Sequence, residues 1–187
     1  MNSQPVTRDS QTITSGDLKV EYSNMRHTIS ILVENKPGVL ARVATLFASR
    51  GFNIESLTVG ETEDPSVSRM TIVSSGNDAQ IEQINKQLNK LVDVIKVSDL
   101  TYEKFIDREL VLIRIAAEGS SRSQLLELVN VFRARIVDVA PRAVTIEITG
   151  STEKIEAFLD LVKPFGIKEM VRTGRIALGR APREKKQ

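Results

Sequence analysis

Apolar residues along this chain change their spacing on a regular schedule, and the schedule runs twice. From His27 to Val33 the residues alternate, with Ile29, Ile31 and Val33 on one face, as a half-buried strand requires. After Glu34–Gly38, residues Leu40, Val43, Ala44 and Phe47 recur at helical spacing. Arg50-Gly51 then ends the helix, because glycine suits a left-handed C-terminal cap. Phe52 to Glu61 reads as a second strand, Glu63-Asp64-Pro65-Ser66 as a turn, and Ser68 to Ser75 as a third strand. Asp78 is the expected cap of a helix carrying Ile81, Ile84, Leu88 and Leu91, and Val92 to Leu100 is a fourth strand.

That order is β-α-β-β-α-β, the split βαβ of ferredoxin-like domains. Different residues then repeat it. Glu109 to Glu118 is a strand, and Leu125, Leu128, Val129 and Phe132 form a helical stripe. Ala134–Ala140 and Ala143–Gly150 make a hairpin about Pro141-Arg142. Ile155, Phe158, Leu159 and Val162 give a helix stopped by Pro164, and Ile167 to Gly174 is the last strand. The expected architecture is α+β, two tandem ferredoxin-like (βαββαβ) domains over 25–102 and 109–179. Residues 103–108 would link them, 1–24 would be a disordered extension, and 180–187 a basic tail.

Composition narrows the chemistry. With 41% hydrophobic residues the chain can form a core, and with 4% aromatics it is poorly equipped for base stacking. The absence of cysteine removes disulfides, thiolate nucleophiles and cysteine metal sites. One histidine, His27, excludes a two-histidine metal centre, and no acid pair is spaced for acid–base work, so no catalytic residue and no metal ligand set is expected. The net charge of +2 comes from the C-terminal end, where Arg172, Arg175, Arg180, Arg183, Lys185 and Lys186 face one acid, Glu184. This is read as a solvated tail. No apolar run is long enough to cross a membrane, and the acid-bearing first 24 residues do not read as a secretory signal, so a cytoplasmic protein is expected.

Glu34-Asn35-Lys36-Pro37-Gly38-Val39-Leu40, between the first strand and first helix, is the segment with binding chemistry. Proline is tolerated in a first helical turn, where its missing N–H would have no partner. Glycine at 38 lets a ligand approach the backbone, and the free N–H groups and helix dipole favour an anion. A carboxylate gains about 0.3–1 kcal/mol there, up to about 2 when partly buried. An amino acid would add an ammonium, for which the side-chain oxygens of Asn35 and Asn53 are candidate acceptors. Its apolar side chain adds roughly 1.5–3 kcal/mol if buried.

The stretch from Glu34 to Val73, and above all Arg50-Gly51-Phe52-Asn53-Ile54-Glu55-Ser56-Leu57-Thr58-Val59-Gly60, resembles the N-terminal ACT domain of acetolactate synthase small subunits. Gln83 to Val97 and Phe132 to Pro141 resemble the same family, so the likeness spans roughly residues 25 to 180. The resemblance implies a non-catalytic regulatory subunit in branched-chain amino acid biosynthesis. It would activate a separate catalytic subunit and mediate feedback inhibition by valine, leucine or isoleucine. It further implies a homodimer through the ACT domains. Asn35, Lys36, Pro37, Gly38, Val39 and Leu40 of one copy would hold the effector, and Asn53 and Ile54 of the facing copy would complete the pocket. Thiamine diphosphate, FAD and Mg²⁺ would belong to the catalytic partner, with no cofactor on this chain. The alternative is an ACT-domain sensor for another amino-acid pathway enzyme. An RNA-binding domain of the same strand order is disfavoured, since the strands that would stack bases, 27–33, 68–75, 109–118 and 143–150, hold no Phe, Tyr or Trp.

Overall fold

The computed structural model describes residues 25–181. The expected N-terminal extension and most of the basic tail lie outside the described residues. The first unit runs β1 (Met25–Glu34), α1 (Val39–Ser49), β2 (Ile54–Glu61), β3 (Val67–Gly76), α2 (Asp78–Leu88) and β4 (Val94–Asp99). Its antiparallel sheet has the order β2-β3-β1-β4, so β2 and β4 are the edges. Period-two residues Ile29, Ile31, Val33, Met70 and Ile72 meet helical residues Val39, Val43, Phe47, Ile81, Ile84 and Leu88 in one buried core. Gly51 ends α1 at φ +74°, in the left-handed region expected of it. The cap of α2 is one residue earlier than expected. The Asn77 side chain accepts from the Gln80 N–H while the Gln80 side chain accepts from the Asn77 N–H, and Asp78 is the first helical residue.

The second unit comprises β5 (Phe105–Ala116), α3 (Ser120–Val131), β6 (Arg135–Ala140), β7 (Ala143–Gly150), α4 (Thr152–Val162), a 3-10 turn through Pro164, and β8 (Ile167–Arg172). Its sheet order, β6-β7-β5-β8, repeats that of the first unit. Val111, Ile113, Ile115, Val144, Ile146 and Ile148 pack against Leu125, Ile155, Phe158 and Val162. No helix among the described residues is long and apolar enough to cross a membrane.

Two expectations about boundaries need correction. Residues 105–108 are not linker but the start of β5, a strand of 12 residues. Nor is Ile167–Gly174 the last strand, because β9 (Ile176–Gly179) follows and pairs antiparallel with Phe105–Arg108. Strands β8 and β9 thus run successively along the same partner. Between them Gly174, at φ +85°, interrupts the ladder, and β9 pairs with the start of β5 as a fifth strand off the β6-β7-β5-β8 path.

This turn solves a burial problem in the first unit. With both helices on one face, the other face carries Thr28 and Ser30 of β1 and Thr71 and Val73 of β3, yet Thr28 is only 2% and Ser30 only 4% exposed. Arg175 and β9 lie over them. The Arg175 guanidinium donates to the Thr28 hydroxyl at 2.8 Å, and its main chain bonds to Ser56 and Thr58 of β2 at 2.9 and 2.7 Å. An added Cβ at Gly174 would sit 2.7 Å from the Ser56 hydroxyl oxygen. Gly174→Ala therefore combines a positive φ with a steric clash, and should lower stability by about 1–3 kcal/mol in urea unfolding monitored by circular dichroism.

Candidate functional site

The loop between β1 and α1 is fixed by Asn35. Its N–H donates to the Ser66 carbonyl at 2.7 Å, and its side-chain amide donates to Pro65 O at 2.9 Å and to Glu61 Oε1 at 3.0 Å. The loop is thereby tied to the β2–β3 turn, which is itself closed by Asp64. That carboxylate accepts from the Ser66 hydroxyl and N–H at 2.7 and 2.9 Å, which holds its pKa below the ordinary aspartate value. Lys36 is exposed and bonded to Glu34 at 2.7 Å, and this hydrogen bond holds its ammonium above the usual lysine value.

Gly38 is the N-cap of α1 at φ +83°, a conformation that explains glycine on its own. Pro37 therefore lies just outside the helix rather than in its first turn. No side chain caps α1, and the N–H groups of its first turn have no intrahelical carbonyl to bind. Val39 turns its side chain into the core and its N–H donates to the Lys36 carbonyl at 3.4 Å, whereas Leu40 is 43% exposed beside it. Arg42, one turn on, was not singled out from the sequence. Its guanidinium places Nη1 3.3 Å from where a Cβ on Gly38 would be, and pairs with Asp93 at 2.7 Å. Its spacing of four residues from Gly38 was the available signal, since that separation stacks two positions on one helical face.

Asn53 and Ile54 are elsewhere. Asn53 is exposed and its carbonyl accepts from the Ser74 hydroxyl at 2.8 Å, while Ile54 opens β2 and packs against the first core. Strand β2 separates Ile54 from Glu61, the residue that Asn35 holds, by about 23 Å of extended chain. Within one chain the two halves of the expected pocket lie at opposite ends of the sheet. The single histidine is distant from the loop as well. His27 is 1% exposed, 3.7 Å from both Asp78 and Asp99, and edge-on to Tyr102, whose phenol is pushed up to about 12 by its hydrogen bond to Asp78.

With this geometry in place, comparison with known proteins gives a consistent result. Residues 29–96 match the AHAS small subunit-like ACT domain, and residues 108–181 match the small subunit of acetolactate synthase. The chain belongs to the acetolactate synthase small subunit family. It is 58% identical over 156 residues to a probable acetolactate synthase small subunit of Archaeoglobus fulgidus, covering 83% of this chain and 98% of that one. It is 55% identical over 157 residues to the acetolactate synthase small subunit of Mycobacterium bovis, covering 84% and 94% respectively. The crystal structure of the Thermotoga maritima acetolactate synthase small subunit superposes with a TM-score of 0.76 at 44% identity, covering 84% of this chain and 99% of that one. The first unit is accordingly the ACT domain of this family member, and the residues of the β1–α1 loop fall inside it. Asn35→Ala removes the side-chain bonds to Glu61 and Pro65 and should cost about 1 kcal/mol, read as a lower urea midpoint and faster amide exchange in the loop.

Proposed function

We propose that this chain is a non-catalytic regulatory subunit that activates the catalytic subunit of acetolactate synthase and carries feedback inhibition by a branched-chain amino acid. The effector, valine, leucine or isoleucine, binds between two copies of the ACT domain. The observation that carries this reading is the bond from the Asn35 amide to Glu61 at the far end of β2. Because β2 is an edge strand, its outer N–H and C=O groups are available for a second chain. Antiparallel pairing of two β2 edges about a two-fold axis sets Ile54 of one copy opposite Glu61 of the other. The loop 35–40 of one copy then faces Asn53 and Ile54 of its partner, which one chain cannot achieve alone.

In such a pocket the effector carboxylate meets the first turn of α1 at Gly38, with Arg42 adding positive charge that Asp93 only partly offsets. The Asn35 amide nitrogen is occupied, which leaves its side-chain oxygen, and that of Asn53, to accept from the ammonium. Leu40 and Ile54 offer apolar surface to the side chain. Dipole and burial terms of this size suit dissociation constants in the micromolar to millimolar range. The ligand-free subunit holds the catalytic subunit in its competent state, and the effector shifts the assembly to a less active one. A coupling of about 1–3 kcal/mol gives roughly 5- to 150-fold effects. Thiamine diphosphate, FAD and Mg²⁺ belong to the catalytic partner, and the assembly acts in the cytoplasm.

Reconstitution tests the whole reading. Adding this chain to the acetolactate synthase catalytic subunit from the same source should raise activity, and valine should then lower it. Failure of both effects would mean that a different amino-acid pathway enzyme is the partner. Aspartate tolerates positive φ better than most residues, so Gly38→Asp should fold, placing its carboxylate against Arg42 where the ligand's carboxylate binds. Inhibition should vanish in that variant while activation persists. Asn53→Ala should weaken valine binding measured by calorimetry about tenfold, with an unchanged thermal midpoint, if its side chain accepts from the ammonium.

A further inference from the structure

Arg175 reads from the sequence as one more charge of a basic tail, yet its side chain is only 15% exposed and it bonds to both domains. Its N–H donates to the Ser56 hydroxyl at 2.9 Å, and its carbonyl accepts from the Thr58 hydroxyl at 2.7 Å. Its guanidinium forks. Nη1 donates to Thr28 Oγ1 of the first domain at 2.8 Å and Nη2 to Thr152 Oγ1 of the second at 2.6 Å. Its Nε lies 3.7 Å from Asp107 Oδ2, which also accepts from the Thr152 N–H and hydroxyl at 3.1 Å each. One residue thus holds β1 and β2 of the ACT domain to β5 and the start of α4 in the second domain.

We propose that Arg175 is the positioning residue through which effector binding at the ACT domain is transmitted to the second domain. The inference rests on the effector reading above and adds the route by which the site acts at a distance. Strand β2 carries Ile54 packed on the first core and, beyond a β-bulge between the two, Ser56 on its outer face against Arg175. Side chains on one strand are locked to a common backbone. A ligand that moves the start of β2 therefore moves the Ser56 hydroxyl. The planar fork cannot follow both Thr28 and Thr152 if the two domains shift relative to one another, because its donors are fixed in one plane. In this largely buried setting a broken bond is not cheaply replaced by water. The clamp accordingly holds one domain arrangement or gives way to another, which is the two-state element that allosteric coupling requires.

The test uses the reconstituted holoenzyme with valine as probe, alongside calorimetry on the regulatory chain alone. Two variants carry it. Arg175→Lys keeps the charge and loses the fork, and Thr58→Val removes one hydroxyl at nearly constant volume. Each should activate the catalytic subunit as the parent does and bind valine within twofold of the parent, while the inhibition at saturating valine falls at least fivefold. Unchanged inhibition in both variants would overturn the proposal. So would a loss of inhibition matched by an equal loss of valine affinity, since that would make Arg175 part of the binding site or a purely structural support. If Arg175→Lys melts early, Thr58→Val decides by the same criteria. A parent chain that neither binds valine nor responds to it would sink the effector reading and this one together, whereas failure confined to the variants would sink this one alone.

Discussion

A four-stranded antiparallel sheet with both helices on one side can leave its other side to water, but here that side is covered, and hydroxyls dominate it beside Val73. Thr28, Ser30 and Thr71 point to it, and each would lose its water on burial. An unsatisfied buried hydroxyl costs roughly 1–3 kcal/mol on the scale of protein mutations, so a purely apolar cover would not serve. The cover has to bring donors, and it does. Arg175 donates to the Thr28 hydroxyl from the covering segment, while Ser30 is served from within the sheet by Arg69 of β3 at 3.0 Å. The rest of the chain's course follows from that demand. Strand β5 begins early enough to pair with β9, Gly174 supplies the turn, and the Glu109–Arg172 pair, two bonds of 2.7 Å with Glu109 nearly buried, pins β8 just before the chain departs.

The alternating and helical apolar residues were legible from the sequence because their signal is local and their burial complete. Ile29, Ile31, Ile81 and Ile84 in one unit, and Val111, Ile113, Ile155 and Phe158 in the other, sit where period two and period 3.6 put them. What escaped was non-local. Ile176–Gly179 is too short for periodicity to register, and its partner, Phe105–Arg108, lies some seventy residues upstream, a pairing no local window can hold. Counting Arg175 as tail charge failed for the same reason, because its partners Thr28, Ser56 and Thr58 come from the opposite end of the chain. The shift of the α2 cap from Asp78 to Asn77 is a smaller matter, since both residues cap well and the reciprocal bond with Gln80 decides between them.

The β1–α1 loop shows the same division. Its position, and the need for glycine at its end, follow from strand, break and helix in sequence. The commitment of the Asn35 amide to Glu61 and Pro65, and the arrival of Arg42 over Gly38, depend on how β2 and its turn fold back, and only the three-dimensional arrangement reveals them. Among the described residues they leave the Asn35 amide oxygen without a hydrogen-bond partner and place Arg42 beside the helix terminus.

Strand β5 passes from its pairing with β9 into the second sheet without a break, hydrogen-bonded along nearly all of its length. The two domains are therefore not beads on a string. One extended ladder, β5 with β9 and then with β8, belongs to the second domain, and its β9 end rests on β1 of the first. The covalent link from Thr101 to Lys104 leaves room to swing, but any swing has to break the bonds of Arg175 to Thr28, Ser56 and Thr58.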